Sequence, residues 1–357
     1  RLAECGIPSQ YLDFLNAYLL SRQGVVLVEG KQSDPIILTD MVFQGTVLGP
    51  CLWNSFFGNI GSSIIEGRQE AQVFADDLKY TSTFPVETSE HIDFNEFKDI
   101  QERAHQWGHH HRVTFDPSKE SFHIIHPLYD DESVFRLLGT MIDSALTMKP
   151  LIDTLLAKTR PKSRAILRMK HLYDLNSLFE QFKMHVWSHF EYHNGAIIMA
   201  KNADRERIDK MQRGFPYQLG SNDTAAFVDF NFAPPSLRRA IAILGFIHKR
   251  VQGTCHPALV KDLPFVSDRS YTFHSKTLES NFNQVRTYRG LYNTSLWSSI
   301  LIYNRLPQGL IDQATVKNFQ SKLTHIAKVK AQGNDPTWRQ AFQSCEDVLR
   351  HCHNIAI

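Results

Sequence analysis

At Lys149 the chain changes texture, and that change limits the folds open to it more than any other feature. Before Lys149, short apolar or β-branched runs alternate with Gly, Pro and Asp punctuation. After it, helical spacing predominates, over Pro150 to Lys158, Ser163 to Tyr173, Leu178 to Phe190, Asp204 to Arg213, Pro235 to Val251 and Val316 to Val329. The class is α+β, with a mixed region over 1–145, a helical region over 146–219 and a second helical region over 220–357.

Within the mixed region, Tyr11, Leu12, Leu15, Tyr18 and Leu19 follow the helix start at Pro8-Ser9. Gly24 to Val28 and Pro35 to Val42 read as a hairpin. Leu52, Trp53, Phe56, Phe57 and Ile60 share one helical face after Gly49-Pro50, which predicts a core helix. Ala71 to Ala75 reads as a buried strand ending at Asp76-Asp77, and Leu78 to Thr83 as its partner. Phe94 to His105 has helical spacing ending at Trp107, while Ser121 to Ile125 and Phe135 to Leu138 are strand-like. Gly220 to Pro235 reads as a connection, and Pro257 to Ser270 and Ser275 to Gly290 as loops.

With 42% hydrophobic and 21% charged residues over 357 positions, the balance is that of a soluble globular protein. The longest apolar runs, Gly24 to Val28 and Leu296 to Tyr303, fall far short of the roughly 20 residues a membrane span needs. No membrane partner is expected. Five scattered cysteines, Cys5, Cys51, Cys255, Cys345 and Cys352, suit a reducing, intracellular compartment, nucleus or cytoplasm. The net charge is only +2, so affinity for nucleic acid must come from local clustering. Such a cluster exists: no acid occurs between Thr154 and Tyr173, where Lys158, Arg160, Lys162, Arg164, Arg168 and Lys170 stand beside His171. Phe230 to Lys261 is a second acid-free stretch, carrying Arg238, Arg239, Lys249 and Arg250. Both patterns suit phosphate contacts.

Two adjacent carboxylates at a strand turn, Asp76-Asp77, can offer hard oxygen ligands to Mg²⁺ beside phosphate oxygens. About thirty residues earlier, Gly45 and Gly49 flank Thr46 in Gln44 to Pro50, permitting close backbone approach to a ligand. Other groupings carry less. His109-His110-His111 are consecutive and do not converge on one ion. Cys345, His351, Cys352 and His353 lack zinc-site spacing. Gly24 to Lys31 lacks the P-loop spacing and its Ser/Thr, and reads as a strand and turn.

The boxes Gln44 to Pro50 and Phe74 to Asp77 resemble the QGSVLGP and FADD boxes of reverse transcriptases from non-long-terminal-repeat retrotransposons of the LINE and jockey type. The resemblance is collinear over nearly the whole chain. Gly6 to Arg22, Val25 to Lys31, Trp107 with Thr114 to Ser121, Leu137 to Thr140 with Ile142-Asp143, Phe190 to Tyr192, and Asn304 to Pro307 with Phe319 to Leu323 resemble successive segments of that family. Phe43 stands where the family has proline, Phe115 where asparagine is common, and Cys51-Leu52 where it has two apolar residues.

The resemblance implies the later part of a polymerase palm, an antiparallel sheet with helices, followed by a helical thumb and a C-terminal helical region. It implies RNA-directed DNA polymerisation on an RNA template and DNA primer, with deoxynucleoside triphosphates as substrates and two Mg²⁺ ions about 3.5–4 Å apart. Asp76 would be the principal metal ligand on this strand, with Asp77 as a second ligand or support. Gln44, Gly45 and Thr46 would shape the nucleotide pocket, Lys119 would lie near the phosphates as a proton donor, and Leu138-Gly139 would grip the primer. In the family another strand, upstream of the helix at Tyr11, carries the first metal-binding aspartate, so the chain is expected to be a fragment with an incomplete two-metal site. A non-catalytic, nucleic-acid-binding remnant is the rival expectation.

Overall fold

The computed structural model describes residues 2–4, 6–38, 45–66, 69–83, 94–125, 133–261, 263–266, 274–279 and 296–352. The fold is mixed α+β, mainly helical, with two-stranded antiparallel sheets. It forms two compact units, Arg1–Phe122 and His123–Ile357. No described helix is long and apolar enough to cross a membrane.

In the first unit, α1 (Ser9–Tyr18) has no buried residue. A two-tier hairpin follows. β1 (Arg22–Gly24) pairs with β4 (Ile36–Leu38), and β2 (Leu27–Val28) with β3 (Lys31–Gln32). Glu29 and Gly30 make the tip at φ 50° and 77°, the left-handed pair that matches strand twist. The P-loop-like string is therefore a strand and turn.

The core of this unit lies between α2 (Gly49–Phe57), α3 (Ile60–Ile64), α4 (Phe94–His111) and the hairpin of β5 (Glu70–Phe74) with β6 (Asp77–Thr81). Phe57, Ile60, Ile64, Ala104 and Trp107 are buried, and Trp53, Val73, Leu78 and Tyr80 pack on them. β5 is one-faced, not buried as expected: Ala71 and Val73 turn inward, whereas Phe74 is 65% exposed. The helix of Phe94 runs past the expected end at Trp107 to His111. It stops where Arg112 takes φ 59° and Val113 N donates to Gly108 O at 2.8 Å. A Cβ on Gly108 would stand 2.5 Å from Val113 O, which explains glycine in a helical turn.

The second unit begins with the hairpin of β7 (Val134–Leu137) and β8 (Thr140–Asp143), while 121–125 forms no strand. Then α5 (Lys149–Arg168) runs unbroken through Pro161, where two helices were expected. Proline deprives the Ala157 carbonyl of its helical partner, but both residues are exposed and water can serve that carbonyl. The interior positions, Leu151, Ile152, Leu155, Leu156, Thr159, Ser163 and Ile166, keep one buried face throughout.

Helix α6 (Leu175–Phe182), a π turn (Lys183–Trp187), α7 (Ser188–Tyr192), α8 (Asn194–Ile197) and α9 (Asn202–Gln218) complete the packing around α5. Phe179, Phe182, Phe215, Phe232 and Trp187 interlock at centroid separations of 4.5–5.9 Å. The expected connection after Gly220 contains α10 (Asp223–Phe230), started by Asn222, whose side chain accepts from Ala225 N. A second cluster is built by α11 (Pro235–Val251), α12 (Leu296–Tyr303), α13 (Gln308–Ile311), α14 (Val316–Gln332) and α15 (Cys345–Cys352).

Candidate nucleic-acid interface

Asp76 and Asp77 lie at the tip of the β5–β6 hairpin. Phe74 pairs with Asp77, leaving Ala75 and Asp76 as the two-residue link, and both aspartates are exposed. Ala75 takes φ 53°, and its carbonyl accepts from Trp53 Nε1 at 2.8 Å. The helix that follows Gly49-Pro50 thus holds the acidic tip. Leu78 and Tyr80 pack on the core, so alternation turns Asp77 to the opposite face of β6. Gly45 takes φ 80° and Gly49 N donates to Thr46 O at 3.3 Å, while Gln44 lies outside the described residues.

These residues do not by themselves assemble a two-ion centre. Two ions need carboxylates from more than one strand. Among the described residues no group of three His, Cys, Asp or Glu side chains is placed to hold a metal. Lys119 sits on a 3₁₀ turn beside Asp116, with Nζ 3.7 Å from its carboxylate, and is 83% exposed. No hydrogen bond or ion pair among the described residues joins Lys119 to Asp76 or Asp77. Phe115, where the family often has asparagine, packs on Phe57 and His105 instead.

In the second unit, Leu138 and Gly139 form the β7–β8 tip at φ 46° and 81°. Tyr192 at the end of α7 donates its hydroxyl hydrogen to Leu138 O at 2.7 Å, and Thr140 Oγ1 lies 3.0 Å from His193 Nδ1. Two segments more than fifty residues apart in sequence meet here.

Beyond this contact runs the basic helix. Lys158, Arg160, Lys162, Arg164 and Arg168 on α5, and Lys170 just after it, are all exposed. Arg160, Arg164 and Arg168 recur every four residues, which stacks them about 6 Å apart along one outward face. Lys158 and Lys162 flank the other side, toward α7, where Lys162 Nζ is 2.6 Å from His189 Nε2. The nearest acid on the helix, Asp153, is already paired with Arg207. Burial and the charges of Lys162 and Lys158 hold His189 below its ordinary pKa of 6.5. Burial, His189 and Lys158 do the same to His193. Neutral His189 can accept the Lys162 hydrogen bond, so the positive face at neutral pH comes from lysine and arginine.

Burial also lowers His248, His274 and His351. The sign follows from proton counting: a histidine with a folded pKa below 6.5 binds fewer protons folded than unfolded between those two values. Stability therefore rises with pH in that window, is fully present above about pH 7, and declines as pH falls through 6.5. Urea midpoints measured from pH 7.5 to 5 are expected to fall on acidification; midpoints that rise would contradict these five environments.

The second basic stretch is corrected by its partners. Arg238 pairs with Glu191 and stacks 3.4 Å over Trp187. Arg239 is 6% exposed beside Asp209, and Arg250 donates to Leu263 O over the Phe265 ring. Of the four, Lys249 alone is exposed. His109 and His110 are exposed, while half-buried His111 stacks on Trp107 at 4.1 Å with Nδ1 2.9 Å from its carbonyl oxygen. His351 and Cys352 are buried in the second unit, and His353 lies outside the described residues.

No protein-family model matches the chain, and neither a curated protein nor a solved structure does. The functional reading therefore rests on the chain's own residues. Trp53, Tyr192, His189 and His193 gain their roles only in three dimensions. The sequence singled out Trp53 as core and Tyr192 as part of a box, and gave no signal for the two histidines.

Proposed function

We propose that this chain is the palm and thumb portion of a reverse transcriptase of the non-long-terminal-repeat type, engaging an RNA–DNA primer-template through the α5 face. The observation that carries the reading is the pairing of distant boxes at hairpin tips. Trp53, just after Gln44 to Pro50, holds the Phe74 to Asp77 tip. Tyr192 holds the Leu138-Gly139 tip. Chance matches scattered along a chain have no reason to meet two by two. Asp76 and Asp77 would contribute one side of a two-metal site, Gln44 to Thr46 the floor of a nucleotide pocket and Lys119 a phosphate contact. Mg²⁺ would supply Lewis-acid charge at the transferring phosphate.

The test is binding of a labelled primer-template by the purified chain from 50 to 200 mM salt. Affinity is expected to fall with a log–log slope of about −3 or steeper, the mark of several neutralised phosphates. Binding that is absent or indifferent to salt would sink the proposal. A second reading, a nucleic-acid-binding protein without polymerase activity, is favoured by the lack of a third carboxylate near Asp76 among the described residues. Primer extension with Mg²⁺ and deoxynucleotides separates the two: extension abolished by Asp76→Ala supports the polymerase, and tight binding without extension supports the second reading.

A further inference from the structure

The second unit also contains a cavity of about 570 Å³, lined by α9, the link from Phe232 to Pro235, α11, α12 and residues 339–343. That volume suits a small molecule. Phe232, Ile243 and Ile302 make an apolar side. The rest carries four guanidinium groups, Arg205, Arg213, Arg239 and Arg339, against the carboxylates of Glu206, Asp209 and Asp223.

The pairing leaves positive charge over. Arg213 and Arg339 both spend themselves on Asp223, at 3.3 and 3.2 Å. Asp209 is shared: one oxygen accepts from Ser236 N at 2.9 Å, and the other lies 3.5 Å from Arg239 Nη2. Arg239 is 6% exposed and its Nη1 has no hydrogen-bond partner. Buried donors are almost always satisfied, and a guanidinium has five. Arg205 lies close enough to oppose it electrostatically, and burial together with that neighbour holds Arg239 below its usual pKa range. Half-buried Arg205 donates to Asn202 Oδ1 and Glu206 is drawn toward Lys210 at 3.8 Å, so buried Arg239 and its neighbour Arg205 face the shared Asp209 carboxylate, and an added anion would relieve them.

We propose that this cavity binds a phosphorylated small molecule, its phosphoryl oxygens on Arg239 and Arg205 and its apolar body against Phe232 and Ile302. A guanidinium fork matches phosphoryl oxygens two at a time, which lysine cannot reproduce. The site is separate from the α5 face and does not depend on the polymerase reading.

The experiment uses the full chain, with inorganic phosphate and phenyl phosphate as probes and chloride at matched ionic strength as reference. Thermal unfolding is expected to shift upward with phosphate relative to chloride, and phenyl phosphate to bind about tenfold more tightly through its ring. Arg239→Lys and Arg205→Gln should each weaken binding about tenfold or more. Arg205 is only half-buried, so Arg205→Gln carries the test if Arg239→Lys fails to fold. Replacing Arg160, Arg164 and Arg168 with Ala should leave the phosphate shift intact. A shift no larger than that of chloride, or one that survives both cavity variants, would overturn the proposal. So would a shift lost with the α5 variant.

Discussion

Replacing Arg160, Lys162, Arg164 and Arg168 with Ala is expected to flatten the salt dependence of primer-template binding by about 3 in log–log slope, because each neutralised phosphate contributes roughly 0.7–0.9. At about 100 mM salt the affinity should drop on the order of 10²–10³-fold. The fold should not suffer. All four side chains are exposed, the buried face of α5 is untouched, and alanine is the best helix former. An independent readout accompanies the loss: without Lys162 the His189 pKa should move up toward its ordinary value, since one of its two positive neighbours is gone. The control removes the same charge elsewhere, at the exposed Lys201, Lys249, Lys317 and Lys322. If both quadruple variants lose affinity equally, net charge rather than the α5 face governs binding and the thumb assignment falls.

What the sequence made legible was local. Gly49-Pro50 announced α2 because proline suits the first turn of a helix, and the Leu138-Gly139 tip lay next to a strand pattern. The unbroken α5 was hidden by Pro161, whose cost depends on which face it occupies, and the face is known only once Ile152, Leu156 and Ser163 are seen to be buried. α10 was hidden because Asn222 and Asp223 signal turns and helix starts alike. Charge was legible but pairing was not. Arg238 and Arg239 look like Arg160 and Arg164 in the sequence, yet Arg238 is paired with Glu191 and Arg239 is buried beside Asp209, both acids coming from other helices. The cavity arginines Arg205, Arg213 and Arg339 span more than 130 positions, so nothing short of the fold could bring them together.

Asp143→Ala is expected to cost about 2–4 kcal/mol of folding stability, a large share of the roughly 5–15 kcal/mol a domain has. Asp143 ends β8 and is 8% exposed. Its Oδ2 accepts from Thr147 N and its Oδ1 from Met148 N, both at 2.8 Å. Between strand and helix the backbone is held in the left-handed region at Leu146, φ 54°, and Met148, φ 57°, conformations that bulky side chains avoid. The carboxylate offsets that strain with two charge-assisted bonds, each worth about 1.5–3 kcal/mol and not fully additive. It also fixes where α5 begins, and so where its basic face points. Asp143→Asn keeps one oxygen acceptor and turns an amide donor toward the other N–H, so it should lose roughly half as much or more. Urea unfolding distinguishes this role from a direct contact with nucleic acid. Both variants should lower the midpoint without changing the m-value, and under fully folding conditions the salt slope of binding should stay at the wild-type figure. Wild-type midpoints in both variants would mean that the link from β8 to α5 holds itself, while a reduced salt slope in the folded variants would move Asp143 from the scaffold to the interface.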